Sequence, residues 1–330
     1  MKLKSLFILS ALTVMLGAVT SACGSKSSTK RYDEGSAVMY ADEGCKSYME
    51  QEIDVFEYQY PKAYILSKYM SENDAINGLL EDSCQLIVIS RPLNQTQLDY
   101  LKGKRKKIAR QEEIAVDAVA LIINKENPVN TLSVQEIKEI FSGKINRWTQ
   151  LAWQDTTAIK LVFDHEGSAN VNFIRDKFLG ADTPFPKNTF AQKSNADVIK
   201  VVEQDKHAIG LVSVSWLGEH LERISNQAVD STRIKNLQNE DEVTAVDFTD
   251  RVRVLKVRKD DSPVGYAPYQ AYIYSGEYPL VRTIYMVSTA ADRSVGKSFF
   301  SFVTGFIGQK ILVQTGVLPY HYHARVVNLD

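Results

Sequence analysis

The chain predicts an α/β fold of doubly wound lobes, and three observations carry that expectation. Between residues 37 and 101, short apolar stretches alternate with amphipathic ones, strand then helix, as in a parallel sheet with helical crossovers. Leu86-Ile87-Val88-Ile89 is apolar at every position, the composition of a strand covered on both faces. Ile114 to Asn124 is a longer apolar strand, long enough to run from one lobe into another.

The elements follow in order. Ala37 to Tyr40 is a short strand, and Asp42-Glu43-Gly44 opens an amphipathic stretch to Tyr58 with acidic residues in its first turn. Pro61 punctuates, and Ala63 to Tyr69 is the next strand. Ser71 precedes Ala75, Ile76, Leu79 and Leu80 as the N-cap of a helix. Leu93 to Leu101 is helical. Ser133 caps Val134 to Phe141, and Ser142-Gly143 stops it. Strands are expected at Ile159–Phe163, Ile209–Val212, Val252–Val257 and Leu280–Val287. Helices are expected from Gly167 to Phe178, from Asn195 to Glu203 and from Ser294 to Val313, the last broken near Gly305 or Gly308. Leu217 to Asp250 is polar and predicts loop with short pieces.

The N-terminus carries a different signal. Lys2 and Lys4 precede an apolar run from Leu6 to Val19, too short to span a bilayer and flanked as an export signal is. The run ends in Val19-Thr20-Ser21-Ala22-Cys23, which resembles the lipobox of bacterial lipoproteins, with Thr20 where that motif has Leu. Residues 1–22 are therefore expected to be a signal peptide and Cys23 a lipidation site; plain cleavage after Ala22 is the alternative. Two acyl chains on one cysteine anchor far better than one. Residues 23–35, small and polar, read as a flexible tether. The expected location is the periplasm or cell surface, held to a bacterial membrane.

About 300 residues follow residue 22, enough for two lobes, and 44% apolar content suits a globular chain. A formal net charge of −1 argues against nucleic acid as partner. The densest basic run, Lys102-Gly103-Lys104-Arg105-Lys106-Lys107, has no interleaved aromatic residue and reads as a solvated loop. Cys45 and Cys84 either pair or stand as two buried thiols. No Cys/His spacing suits zinc, and no cofactor is expected.

Four segments in this order resemble one family. They are Ile114 to Ala120 with Asn127-Pro128, Leu132-Ser133 through Ile140-Phe141-Ser142-Gly143-Lys144-Ile145-Asn146-Arg147-Trp148, Phe163-Asp164-His165-Glu166-Gly167-Ser168, and Gly305 through Gly308-Gln309-Lys310 with Gly316-Val317-Leu318-Pro319. Together they resemble the phosphate-binding substrate-binding proteins of ABC transporters, of the type II periplasmic-binding-protein superfamily. The resemblance implies two α/β lobes joined by a two-strand hinge, with crossings near Asp117 and Pro279-Leu280. Lobe 1 is then 36–116 plus 280–330 and lobe 2 is 117–279. It also implies inorganic phosphate as ligand, an ABC permease as partner, a monomer and no catalysis.

A buried oxyanion needs several donors and compensating positive charge, and helix N-termini supply both. Candidate positions are Gly44, Ser71, Gly167, Ser168, Ala169 and Asn170 at helix starts, with Ser90 and Arg91 after the strand Leu86–Ile89. Asp42 reads as a helix cap. The better-known family members carry an acidic residue where Arg91 stands, an arginine where Asp164 stands, and Gly-Ser-Gly-Thr where this chain has Gly167-Ser168-Ala169-Asn170. Asp164, or Glu166, is then the acceptor for the proton of hydrogen phosphate, which sulfate lacks. The exchange leaves another oxyanion or small anionic solute open, as well as a surface or sensory protein that reuses the fold without transport. His165 near Ser168 and Asp164 suggests a hydrolase only weakly, because no Gly-x-Ser-x-Gly elbow is present. Tyr266, Tyr269, Tyr272, Tyr274 and Tyr278 read as packing beside the returning hinge.

Overall fold

The computed structural model describes residues 33–180, 183–218, 229–238 and 248–321. The expected signal peptide, Cys23 and most of the tether lie outside the described residues.

Two α/β lobes share one curled sheet. In the first, β1 (Glu34–Asp42) pairs in parallel with β2 (Lys62–Met70) and β3 (Leu86–Ile89). The chain returns through α1 (Lys46–Gln59), which follows a 3-10 turn at Glu43–Cys45, and α2 (Glu72–Leu80). β1 already begins within the stretch expected to be tether. α3 (Gln95–Tyr100) starts on an Asn94–Gln97 capping box and runs into a π turn at Leu101–Arg105.

β4 (Arg110–Ile123) is the long strand, and it changes partners along its length. Residues 110–118 pair with β12 (Val281–Ser288), whereas Val119 to Ile123 pair with β8 (Ala208–Ser213). All of the pairs that β4 makes are antiparallel, so each lobe is a parallel sheet closed by antiparallel strands.

In the second lobe, β5 (Thr131–Ser133) leads into α4 (Val134–Phe141), where Ser133 and Glu136 form a complete capping box. β6 (Lys160–Phe163) pairs in parallel with β7 (Thr189–Ala191) and β8. Between them α5 (Ala169–Ile174) continues as a π turn to Leu179, and α6 (Asn195–Gln204) packs on β8. Trp148, at the end of the Phe-Ser-Gly-Lys-Ile segment, is wholly buried and its indole N–H donates to the carbonyl of His207. α7 (Ser231–Gln238) is a two-turn helix inside the stretch expected as loop with short pieces. β9 (Arg253–Val254) pairs with β4, and β10 (Lys256–Arg258) joins β5 and β11 (Gly265–Tyr266) in a small separate sheet.

After α8 (Gln270–Tyr274) the chain returns through β12 to the first lobe. It ends in α9 (Val295–Val303), α10 (Phe306–Gln314) and β13 (Leu318–Pro319). Gly305 caps α10, and an added Cβ there meets the Ser301 carbonyl at 2.9 Å, so the break between the helices needs glycine. Of the tyrosine cluster, Tyr278 is buried and donates to the carbonyl of Val119, while Tyr274 is exposed. Cys45 and Cys84 are free thiols, both buried. Among the described residues no helix is long and apolar enough to cross a membrane, and no group of ligands suits a metal ion.

Candidate functional site

The seam between the lobes is built from strand ends and helix starts, which put unpaired amides and short polar side chains together. At the end of β1, the Asp42 carboxylate accepts from the Gly44 amide at 3.0 Å and from the Ala169 amide of the other lobe at 2.9 Å. Gly44 allows this approach: an added Cβ stands 2.9 Å from Asp42 Oδ1 and 3.4 Å from Arg282 Nη2. Asp42 is wholly buried, and burial, then the nearby Asp164 and Glu72 carboxylates, push it up to about 8 against the pull of Arg282 and the Ala169 amide.

Beside it lies a buried ion pair. Arg282 Nε and Nη2 donate to Asp117 Oδ2 at 3.0 and 2.8 Å. Asp117 Oδ1 accepts from Ser213 Oγ at 2.9 Å; Ser213 and Ser215 hydroxyls are also 2.9 Å apart, and Ser215 Oγ donates to the Gly44 carbonyl. Burial raises the Asp117 carboxyl while Arg282 and Ser213 draw it down. Arg282 Nη1 is buried without a hydrogen-bond partner.

Asp164 is also buried, at the end of β6. It accepts from Ser168 Oγ at 2.5 Å, Asn170 Nδ2 at 3.0 Å and Asn195 Nδ2 at 3.3 Å. Burial raises its carboxyl above the usual range despite these donors. Asn195, at the start of α6, donates both its amide and Nδ2 to Glu43 Oε2 in the first lobe, at 3.1 and 2.5 Å. Burial likewise raises Glu43. Asn170 Oδ1 has no hydrogen-bond partner.

A third crossing lies at the rim. Glu72 accepts from the Ser90 amide and hydroxyl, from Arg91 Nε at 3.1 Å and from Asn172 Nδ2 of the other lobe at 2.8 Å. The Asn73 amide donates to the Gly167 carbonyl. Gly167 has φ +75°, the left-handed region, and its missing Cβ leaves room for Asn73 Nδ2 at 3.2 Å.

The sequence candidates therefore fall into three groups. Gly44, Asp164, Ser168, Ala169 and Asn170 come together at the buried centre. Ser90, Arg91 and Gly167 stand at the rim, where Arg91 is committed to Glu72 and Asn73. Ser71 caps α2 by accepting from the Asp74 amide, and Glu166 is exposed. Ser168 likewise caps α5, with its hydroxyl proton given to Asp164. Asp42 is a cap, as the sequence indicates, and also a bridge. Sequence reasoning missed Arg282, Asn195, Ser213, Ser215, Glu43 and Glu72 as members of the seam. One signal pointed to the first: Asp117 and Arg282 are the single, opposite charges in the apolar stretches Ile114–Asn124 and Leu280–Val287.

Chemically, the centre is an oxyanion cradle. Two main-chain amides from opposite lobes and a nearby guanidinium surround one carboxylate, and that carboxylate is the protein's own Asp42.

Known proteins share this architecture. The chain is 21% identical to the phosphate-binding protein PstS of Pseudomonas aeruginosa over 275 residues, covering 79% of this chain and 75% of that protein. It is 22% identical to the Borreliella burgdorferi PstS over 251 residues, 74% of this chain and 75% of that one. Both relatives are binding proteins rather than enzymes. A Clostridium perfringens protein assigned as a phosphate ABC transporter substrate-binding protein, crystallised with phosphate, superposes with TM-score 0.67 at 22% identity, over 87% of this chain and 100% of that one. An ABC-type phosphate transport receptor from Vibrio cholerae superposes with TM-score 0.61 at 18% identity, over 87% and 100%. The model of the PBP superfamily domain matches residues 30–305, and with the type II fold described above this chain belongs to the PBP superfamily.

Proposed function

We propose that the chain is an extracytoplasmic solute-binding protein that captures inorganic phosphate between its lobes, as a monomer, for an ABC permease, tethered through a lipid on Cys23. One observation carries the ligand class. The Gly44 and Ala169 amides converge from opposite lobes on a single carboxylate beside Arg282. A group that receives Asp42 in this way suits one oxyanion edge, and parting of the lobes frees the Ala169 amide, while Gly44 stays capped by Asp42 within the first lobe. The names of the relatives supply phosphate as the particular anion. Where ionised, the surrounding carboxylates Asp42, Asp164, Glu43 and Glu72 repel an anion but can accept a hydrogen bond from the P–OH of hydrogen phosphate, which sulfate cannot give.

A second reading, a surface or sensory protein that keeps the fold without transport, is favoured by one observation. Asp42, Glu43 and Glu72 already satisfy donors of the opposite lobe, so these contacts across the seam form without a ligand. Calorimetry on the chain from Gly24 onward separates the two. Phosphate heats with none from sulfate support capture; no heat from either supports the second reading, and equal heats mean another oxyanion. Mass spectrometry of the mature N-terminus tests the lipid.

A further inference from the structure

The basic run that the seam leaves unused lies on the first lobe. The segment 101–111 holds Lys102, Lys104, Arg105, Lys106, Lys107 and Arg110 and no carboxylate. The π turn at Leu101–Arg105 ends on Lys106 with φ +55°, and the chain then extends outward before β4 begins at Arg110. Three of these cations are held. Arg105 Nε donates to the Leu80 carbonyl, Lys107 pairs with Asp82, and Arg110 pairs with Asp292. Lys102, Lys104 and Lys106 are exposed and make no ion pair among the described residues. Beside them Ile108 is 80% exposed, an apolar side chain standing out of a cationic loop.

The face has a place in the molecule. Lys106, Lys107, Ile108 and Arg110 border a surface cavity of about 660 Å³, and Ser36 of β1 lines the same cavity. β1 starts two residues earlier, at Glu34, so this end of the strand lies on the same side. Asp33 is ten positions after Cys23, a reach of at most about 35 Å when fully extended. A lipid at Cys23 would keep this end of β1 within that reach of the bilayer, and the basic loop and exposed Ile108 stand on the same side, with Asp33 and Glu34 also exposed at the start of β1. Lysines that face anionic lipid, with an apolar residue at the headgroup boundary, are what such a surface binds.

We propose that the loop Lys102–Arg110 is a peripheral membrane-contact face, with anionic phospholipid headgroups as its partner. Its orientation rests on the tether at Cys23; the contact itself does not, and the test omits the anchor so that the two can fail separately. The chain from Tyr32 to Asp330 is one compact unit with its own core, so protein starting at Gly24 serves. It is sedimented with vesicles of phosphatidylcholine alone or with about a third phosphatidylglycerol. Binding to the anionic vesicles only is expected, fading as salt shortens the screening length.

Lys102→Glu/Lys104→Glu/Lys106→Glu is expected to weaken binding about 100-fold, at about fivefold per lysine. Ile108→Ser is expected to weaken it severalfold in low and high salt alike. Lys138→Glu/Lys144→Glu/Lys187→Glu makes the same change in net charge at exposed positions of the other lobe and is expected to bind as the parent does. Equal binding to neutral vesicles, equal loss in both triple variants, or no binding at all overturns the proposal. So does retention only on vesicles that contain a permease, which assigns the face to a protein instead. Matched melting temperatures of the variants show that the losses are not unfolding.

Discussion

Arg282 and Asp117 stand directly opposite each other on β12 and β4, and two guanidinium nitrogens donate to one carboxylate oxygen. The pair sits one residue before β4 leaves β12 for β8, where the two lobes join. A charge buried there without its partner is costly. Arg282→Met is expected to destabilise the protein by about 3–5 kcal/mol, and Arg282→Met with Asp117→Leu to recover most of that loss. Urea unfolding curves of the three proteins measure this, and a double variant no more stable than the single one contradicts it.

The carboxylates of the seam make stability depend on pH. Asp42 is held up to about 8 when folded, above an ordinary aspartate near 4 in the unfolded chain. Between those values the folded state binds more protons, so stability is full below the lower value and declines as pH rises through the upper one. Glu43, Asp117 and Asp164 are raised in the same direction. The protein is therefore expected to unfold at lower urea at pH 8 than at pH 5.5, and Asp42→Asn to shallow the decline. A profile that rises across this range excludes the assignment.

Asp42 is also the internal competitor of any anion at the cradle. Asp42→Ala removes the side-chain acceptor and leaves the Gly44 and Ala169 amides unclaimed. Phosphate affinity is expected to rise tenfold or more, equivalent to about 1.4 kcal/mol, and discrimination against sulfate to fall. Titration calorimetry reads both; an unchanged or weakened phosphate affinity shows that Asp42 does not compete.

Glu52 lies away from the seam's hydrogen bonds, on α1. It is wholly buried, neither carboxylate oxygen has a hydrogen-bond partner, and burial alone raises its carboxyl well above the usual range. An unsatisfied buried polar group costs about 1–3 kcal/mol. Glu52→Met keeps the length of the side chain and is expected to stabilise the protein by about that amount, more at pH 8 than at pH 5. Thermal unfolding at both pH values tests it, with destabilisation at pH 8 as the contrary result.

Much of the local structure was legible because its causes are local. Ser133 caps α4 with Glu136 three residues on, Ser168 caps α5, and the apolar run of β3 announces a strand covered on both faces. The helix inside the stretch from Leu217 to Asp250 fits the short pieces expected there but could not be placed, because it is mostly polar with little apolar period to read. The positions of Gly44 and of Ser168 to Asn170 at helix starts were likewise visible before their partners were.

The sequence alone determined the alternation of strands and helices, their caps and the long crossing strand, because each follows from residues within a turn or two of one another. Only the tertiary structure decided what fills the seam. Asp42 meets Ala169 across 127 residues, Glu43 meets Asn195 across 152, and Arg282 meets Asp117 across 165. Nothing in the periodicity of either segment encodes such a pairing. It is set where two lobes close and buried charges must find the nearest donors available, and here those donors take the protein's own carboxylates.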